Sequence, residues 1–377
     1  MNFRLRWVAA AALSTVLVAC GGGGSDIAPP DRVTSVKVVG DSLADSGTFG
    51  LKFSVQGTAG TGAGSTAIWP ERVAGGYGQS LCPHYDLTSG NLAVRPACTN
   101  YAVGGGAINY TRVANAPQSI PRQLADAAAA GYGPGDLLLV DGGGNDAADL
   151  ISAYLAAPRD GGAAYRALLS SVLDAATVQQ LLGGGAAGMA QAGGVYMQAL
   201  ATRFAATLKA QALDKGATRV AVLNMPDVTL TPKFRVVLAA IAQANGAAAA
   251  AQAEGLFSSW VQAFNARLAE QFAGDRRVVV VDFYSAFKDQ YQRPAQYGYT
   301  NVTTPACPAT GVDASGLPTY TFPTCTGAAL SANPPAGASG ANWWERYLFS
   351  DSFHPTPYAH QLLGEQVARA LKAAGWN

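Results

Sequence analysis

Four short apolar segments, separated by long helical stretches, most constrain the fold of this chain. They cover 33–40, 136–140, 218–223 and 277–282, and each runs into a glycine or a polar residue. Short segments that are rich in Val and Leu and end in a glycine or polar residue are typical of strands that are buried on both faces. The Ala- and Leu-rich stretches between and around them predict helices at about 120–130, 164–182, 194–215, 234–272 and 357–373, with a break at Gly246 or Gly255 in the stretch at 234–272. Strands alternating with helices predict an α/β fold, a three-layer α/β/α sandwich with a parallel central sheet.

The stretch at about 294–341 interrupts this alternation, because it consists largely of Thr, Pro, Gly and Ala. An irregular segment of that length inside a domain is typical of a lid or a specificity loop. A short strand at 347–349 then resumes the pattern. There is no internal repeat and no linker to a second domain. The sequence therefore predicts one domain at 32–377 with a loop insertion at about 294–341.

The first 19 residues have the features of an export signal. Arg4 and Arg6 precede an apolar stretch that is too short to span a bilayer. The stretch ends in Leu17-Val18-Ala19-Cys20, which resembles the lipobox of bacterial lipoproteins. That resemblance implies a lipidated Cys20 as the mature N-terminus, with 20–31 as a flexible tether and the lipid anchor as the contact with a membrane. An ordinary cleaved signal peptide with a chance cysteine is the alternative; both interpretations predict export, to the periplasm, the outer membrane or the medium.

The four remaining cysteines, Cys82, Cys98, Cys307 and Cys325, form an even set in an exported chain, which is typical of disulfides. Three pairings are open, and closure between near neighbours favours Cys82–Cys98 and Cys307–Cys325. A zinc site is the alternative, but the spacings contain no C-x-x-C pair and no histidine at ligand spacing. We therefore expect no metal and no cofactor.

The net charge is only +1 and no run of Lys or Arg stands out, so the sequence does not predict nucleic-acid binding. A neutral or apolar small molecule fits this composition better. Neither a Walker A loop nor an H-E-x-x-H helix is present.

One serine, one histidine and one aspartate are candidates for nucleophilic catalysis. A serine hydroxyl needs a base within hydrogen-bond reach and a third group that orients the base. Of the three histidines, His354 follows a strand end and has Asp351 three residues upstream, a spacing at which a carboxylate can reach the imidazole. Ser42 lies in Gly40-Asp41-Ser42-Leu43 at the end of the first strand; the α/β-hydrolase Gly-x-Ser-x-Gly elbow is absent. A helix cap at Ser42 and a loop histidine at 354 are the structural alternatives.

Four ordered blocks together resemble the GDSL, or SGNH, hydrolase family over nearly the whole mature length. They are Val38-Val39-Gly40-Asp41-Ser42-Leu43-Ala44-Asp45-Ser46-Gly47, Asn100-Tyr101-Ala102-Val103-Gly104-Gly105-Gly106-Ala107, Gly143-Gly144-Asn145-Asp146, and Asp351-Ser352-Phe353-His354-Pro355-Thr356. The resemblance implies a flavodoxin-like SGNH fold.

The same resemblance implies a role for each matching residue. Ser42 would be the nucleophile, His354 the general base and Asp351 its orienting acid. The oxyanion donors would be the N–H groups of Ser42 and Gly104 and the side-chain amide of Asn145, although the triple glycine leaves the donor open among residues 104–106.

Nearby aspartates at 41, 45, 141 and 146 are expected to cap helices or accept backbone hydrogen bonds. Asp141, at a strand end, is the alternative to Asp351 as the orienting group.

These features together predict a carboxylic-ester hydrolase that acts on a small-molecule or lipid ester through an acyl-enzyme. A carbohydrate acetyl esterase and a surface lipoprotein that binds a partner through an inactive hydrolase fold are the two alternatives.

Overall fold

A four-stranded parallel sheet forms the centre of the chain in the computed structural model, which describes residues 32–57 and 66–377. Its strands are β1 (Ser35–Val39), β2 (Asp136–Val140), β3 (Val220–Leu223) and β4 (Val278–Val281), neighbours in that order. Val39 pairs with Val140, and Val140 pairs in turn with Val222. Because all four strands are parallel, their carboxyl ends meet at one edge of the sheet, where ligands bind in open sheets of this class.

A short segment at 99–101 extends the sheet beyond β1. The Val38 N–H donates to the Thr99 carbonyl at 3.0 Å, and the Tyr101 N–H donates to the Val38 carbonyl at 2.7 Å. The bridge between Val38 and Asn100 is parallel. With this segment counted as a strand, the order along the sheet is second, first, third, fourth, fifth, which is the flavodoxin-like order.

The described helices lie between the strands and after the last one. They are α1 (Trp69–Gly76), α2 (Ile120–Ala129), α3 (Gly144–Asp160), α4 (Ala163–Ser170), α5 (Ala175–Gly183), α6 (Gly185–Gln211), α7 (Pro232–Asn245), α8 (Ala247–Gln271), α9 (Phe283–Gln292), α10 (Gly327–Ala332) and α11 (Pro357–Ala373).

Alternate strand residues pack into two separate apolar cores, one on each face of the sheet. Val36 and Leu139 face a core built with α1, α9 and α11. Leu138 and Val222 face the opposite core, built with α2, α3, α6 and α8. This alternation follows from the period-2 geometry of a strand. The protein is therefore a three-layer α/β/α sandwich, as the sequence predicts.

One predicted helical stretch is divided where no break was expected, since the stretch at 164–182 is two helices, α4 and α5. The break expected in the stretch at 234–272 falls at Gly246, whose φ of 90° ends α7, and Gly255 lies within α8. Helix α3 was not predicted, because it begins among glycines and carries Pro158 near its end. The expected strand at 347–349 is present only as isolated bridges of Tyr347 to Asn301 and Phe349 to Pro355.

The insertion at about 294–341 has regular structure of its own. It contains a hairpin that pairs Gly311–Val312 with Pro318–Thr319, and it contains α10.

A disulfide joins Cys307 to Cys325, and a second one joins Cys82 to Cys98, which are the two pairs that sequence proximity favours. Two disulfides fit a protein exported to an oxidising compartment.

The N-terminal predictions concern residues that the structure does not describe. The signal peptide at 1–19, the lipidated Cys20 and the tether at 20–31 lie outside residues 32–57 and 66–377. Within those ranges, no helix has the length and apolar character needed to cross a membrane.

Candidate active site

Ser42 lies in a tight turn directly after β1, at the carboxyl edge of the sheet. The Gly40 N–H donates to Gln123 Oε1 at 2.8 Å, and the Asp41 N–H donates to Asp141 Oδ1 at 2.9 Å. A Cβ on Gly40 would lie 1.7 Å from Asp141 Oδ1, so only glycine allows this close approach of the two strand ends. The turn is thereby fixed from both sides, and Ser42 is buried with 5% of its surface exposed.

His354 lies beside Ser42 although 312 positions separate them in sequence. The distance from Ser42 Oγ to His354 Nε2 is 2.7 Å, and the distance from His354 Nδ1 to Asp351 Oδ2 is 2.8 Å. Asp351 Oδ1 accepts the backbone N–H groups of Phe353 and His354 at 2.7 and 2.6 Å. Burial raises the pKa of Asp351, but the charge of His354 and these hydrogen bonds together lower it below the ordinary aspartate value. The carboxylate is therefore held in its ionised form.

The loop that carries His354 is closed on itself by hydrogen bonds. The Ser350 N–H donates to the His354 carbonyl at 2.7 Å, and Ser350 Oγ donates to the Pro355 carbonyl at 2.8 Å. Ser54 Oγ donates to the same Pro355 carbonyl at 3.0 Å. A tight loop of this kind fixes the imidazole with little freedom to rotate away from Ser42.

The other two histidines have structural surroundings. His84 Nδ1 lies 3.1 Å from the Cys98 carbonyl, and its ring packs against Tyr101 at 4.3 Å between centroids. His360 is fully buried in α11 against the start of α1, and burial followed by the charge of Arg72 lowers the pKa of its imidazole well below the ordinary value. Among the described residues, neither ring makes a hydrogen bond to a serine hydroxyl as His354 does.

One backbone N–H of the glycine loop at 104–106 differs from the other two in its hydrogen bonding. The Gly104 N–H donates to Asp45 Oδ2 at 2.9 Å, and the Gly106 N–H donates to the Val103 carbonyl at 2.9 Å. Among the described residues, the Gly105 N–H has no acceptor, and Gly105 has a φ of 77°, which favours glycine. The donor that the resemblance assigns to Gly104 is thus already engaged within the protein, whereas that of Gly105 is available.

Asn145 stands at the start of α3, which follows the carboxyl end of β2. Its Nδ2 donates to the Gly106 carbonyl at 2.9 Å. A primary amide has two N–H groups, so one remains after this bond is made. The contact also ties the glycine loop to α3.

The aspartates near the site accept backbone hydrogen bonds, as the sequence indicates. Asp45 accepts from Gly47, Thr48 and Gly104, and Asp146 accepts from Ile108 and Asn109. These carboxylates connect the loops that surround Ser42.

Asp141 faces Asp41 and makes no hydrogen bond to His354 among the described residues. Burial, followed by the charge of Asp41, raises the pKa of Asp141 well above the ordinary value; the Asp41 N–H and the nearby Trp69 indole oppose that rise. Its Oδ2 has no partner at normal hydrogen-bond geometry within the described residues. These observations describe a carboxyl that fixes the turn, and they leave Asp351 as the group that contacts the imidazole.

Aromatic side chains that the sequence analysis did not single out surround His354. The ring of Phe53 lies 5.2 Å from the imidazole, and that of Phe322, from the insertion, lies 5.6 Å from it. They belong to a cleft of about 520 Å³, here called the aromatic cleft, lined by Phe49, Leu51, Phe53, Gly104, Gly105, Tyr320, Thr321, Phe322 and Pro323. No local pattern in the sequence indicates these residues, because Phe53 and Phe322 meet only in the folded protein and are about 270 positions apart in sequence.

Comparison with known proteins gives one family. A model of the family described as GDSL-like Lipase/Acylhydrolase matches residues 36–367, from within β1 to within α11. No curated protein matches the chain.

Within residues 32–57 and 66–377, no group of three or more His, Cys, Asp or Glu side chains is arranged to hold a metal ion.

Proposed function

The chain belongs to the GDSL-like lipase/acylhydrolase family, and from that premise we propose that it is a serine esterase or lipase that forms an acyl-enzyme on Ser42. Family membership supports hydrolysis of ester substrates. The observation that carries the finer proposal is the 2.7 Å distance between Ser42 Oγ and His354 Nε2, because a serine without such a base is a weak nucleophile at neutral pH.

In the proposed reaction, Ser42 Oγ attacks the ester carbonyl while His354 Nε2 takes the hydroxyl proton. Asp351 accepts a hydrogen bond from the Nδ1–H of His354, which selects the productive tautomer and stabilises the imidazolium that forms. The tetrahedral intermediate then collapses, and His354 donates the proton to the leaving alkoxide. Water, activated by the same imidazole, attacks the acyl-enzyme and releases the acid.

The oxyanion of that intermediate needs donors that are already oriented. We propose the N–H groups of Ser42 and Gly105 and the second N–H of Asn145. Gly105 replaces Gly104 in this proposal because the Gly104 N–H is bonded to Asp45. Gly104 would then act indirectly, by fixing the loop from which Gly105 donates.

The direct test is hydrolysis of p-nitrophenyl acetate and butyrate by purified protein and by Ser42→Ala. We expect the variant to fold, as judged by circular dichroism and thermal unfolding, and to lose about 10³-fold or more in kcat. A fluorophosphonate probe should label the native protein and fail to label the variant. Hydrolysis that survives Ser42→Ala intact would refute the assignment. A native protein that neither reacts with the probe nor hydrolyses esters would favour a binding role for this fold.

We also propose that the protein is exported as a lipoprotein anchored through Cys20, with no further contact with a membrane. The two disulfides support export. Metabolic labelling with palmitate should mark the wild type and leave Cys20→Ser unlabelled. Equal labelling of both would contradict the anchor without affecting the proposed catalysis.

A further inference from the structure

The aromatic cleft has two walls from distant parts of the sequence. Phe49, Leu51 and Phe53 form one wall, in the segment that follows the Ser42 turn. Residues 320–323 of the insertion form the other, and Gly104 and Gly105 close it on the third side. Since the Gly105 N–H has no acceptor among the described residues and Phe53 contacts the His354 ring, the cleft opens directly beside the reacting groups.

The insertion wall is firmly attached to the domain. The Gln56 N–H donates to the Cys325 carbonyl at 2.8 Å, and the Gly327 N–H donates to the Gln56 carbonyl at 2.9 Å. At the other end, the Cys307 N–H donates to the Ser350 carbonyl at 2.8 Å, so the insertion is bonded to the loop that carries His354.

A small apolar core lies behind this wall. Val55, Phe322, Leu330 and Trp344 are buried in it together with the Cys307–Cys325 disulfide. The cleft is thus bounded by a packed surface, which can select substrates by size, and the insertion is part of that surface.

The side chains that line the cleft are apolar or aromatic apart from Thr321 and the phenol of Tyr320. Phe53 and Phe322 meet edge to face at 5.6 Å between centroids, across the two walls. Tyr320 lies close enough to the site for the charge of Asp351 to add to burial in raising the pKa of its phenol. Such a lining binds hydrocarbon and offers little to a polar sugar.

We propose that the disulfide-pinned insertion completes an apolar subsite, and that Tyr320 and Leu51 on its opposite walls set which ester is hydrolysed, through the size of the ester's apolar group. This inference rests on the proposed esterase function and names the substrate class, esters with a medium-length hydrocarbon group. Burying one methylene contributes about 0.8 kcal/mol, which corresponds to about fourfold in kcat/KM for each added methylene until the cleft is filled.

The test measures kcat/KM over two ester series. One series varies the acyl group of p-nitrophenyl esters from acetate to laurate; the other varies the alcohol of acetate esters from ethyl to octyl, followed by proton release. The variants are Tyr320→Ala, which removes one wall, and Leu51→Trp, which narrows the cleft from the other. The control is Val312→Ala, in the same insertion but 71% exposed and away from the cleft. Phe322 is not a suitable variant, because its ring also contacts His354.

The readout is the ratio of kcat/KM for the octanoyl or octyl ester to that for its shortest homologue. The ratio compares two esters on the same preparation, so it does not depend on how much of the protein is folded. A variant that only lowers the folded fraction therefore leaves the ratio unchanged. We expect both variants to lower the ratio about tenfold, the loss of roughly two buried methylenes, and Val312→Ala to keep it. A change confined to the acyl series identifies the acyl group as the occupant, and one confined to the alcohol series identifies the leaving group.

Two results would count against the inference, and they are distinguishable. Turnover by the wild type with ratios that neither variant moves would overturn the subsite while the esterase proposal stands. No turnover of any ester by folded wild type would overturn the esterase proposal and the subsite with it.

Discussion

The ring of Phe53 occupies the space that a side chain at Gly104 would need, since a Cβ there would lie 2.3 Å from two of its ring carbons. Phe53 packs in turn against the imidazole of His354. Glycine at 104 therefore keeps this ring, and the imidazole that it packs against, in position.

Gly104→Ala should therefore displace Phe53 and lower kcat/KM about tenfold, while overpacking lowers the free energy of unfolding by about 1–3 kcal/mol. Adding Phe53→Ala makes room for the new methyl group and should recover part of both losses. The double-mutant cycle, measured by kinetics and by urea unfolding, should give a coupling of about 0.5–3 kcal/mol. Gly133→Ala is the control, since a Cβ there meets nothing within 4 Å. Strictly additive effects of the two substitutions would contradict the contact.

Asp351→Asn should leave the loop in place but present the wrong hydrogen-bonding group to the His354 imidazole. We expect kcat to fall about 10⁴-fold, the size of loss known for an amide in this role, with little change in the KM for p-nitrophenyl butyrate. Asp149→Asn, whose side chain is 48% exposed in a surface ion pair with Arg112, is the matched control and should keep wild-type kinetics. If Asp351→Asn retained most of the activity, another group would have to orient the base.

Asn145→Ala separates a donor to the oxyanion from a structural amide. Loss of the bond to the Gly106 carbonyl alone should change the free energy of unfolding by about 0.5–1.5 kcal/mol. Loss of an oxyanion donor should lower kcat about 10²- to 10³-fold, with KM affected far less. Steady-state kinetics and urea unfolding on the same preparation measure both. A kcat close to that of the wild type would reduce Asn145 to a support of the glycine loop.

Asp141→Asn tests the buried carboxyl pair through the pH dependence of stability. The folded pKa of Asp141 lies well above its ordinary value, so just above the ordinary pKa the native state binds a proton that the unfolded chain has already lost. The free energy of unfolding of the wild type should therefore fall as pH rises from the ordinary carboxyl pKa through the folded pKa. Asparagine cannot titrate and keeps the acceptor for the Asp41 N–H, so the variant should gain stability relative to the wild type as pH rises above about 4, the ordinary carboxyl pKa.

Urea unfolding at several pH values measures this difference, with Asp149→Asn as the exposed control. Curves for Asp141→Asn and wild type that stay parallel across the range would show that Asp141 is ionised in the native state.

The two disulfides close loops of similar length and should contribute similarly to stability. Their sequence separations are 18 and 16 residues, for which the loop-closure model gives about 3 kcal/mol each. Replacing both cysteines of one disulfide by serine should therefore lower the unfolding temperature by a similar amount for either disulfide. Only the double variant Cys307→Ser, Cys325→Ser should also lower the ratio of kcat/KM for the octanoyl ester to that for acetate. The reason is that the Cys307–Cys325 disulfide holds the insertion wall of the aromatic cleft. An equal change of the ratio in the Cys82→Ser, Cys98→Ser pair would contradict this link.

The strands and the layer architecture were predictable from local pattern. β2 (Asp136–Val140) and α11 (Pro357–Ala373) have the bounds that the sequence indicates, because an apolar run and a proline at a helix start are local signals. Helix α3 was not predictable in this way, since Gly143 with a φ of 98° precedes it and packing against neighbouring helices stabilises it. The insertion was recognised only as irregular, because its core depends on Val55 and Trp344, far apart in sequence.

For the site, residue types together with the resemblance of four ordered blocks to the family nominated Ser42, Asp351 and His354. The nomination of Gly104 as a donor shows the limit of that reasoning: all three glycines look alike in sequence, and the carboxylate of Asp45 engages one of them only in the folded protein. The aromatic rings around His354 were likewise invisible, because no local pattern records which distant segments meet.

The sequence by itself determined the fold class, the family and the residues to examine, and it favoured one set of cysteine pairs, because buried strands, glycine-flanked polar blocks and nearby cysteines are all local features of the sequence. Only the tertiary structure decided which hydroxyl meets which imidazole, which backbone N–H stays free and what lines the cleft beside them. Those facts depend on contacts between segments hundreds of residues apart, and such contacts are fixed by packing across the sheet and the insertion together.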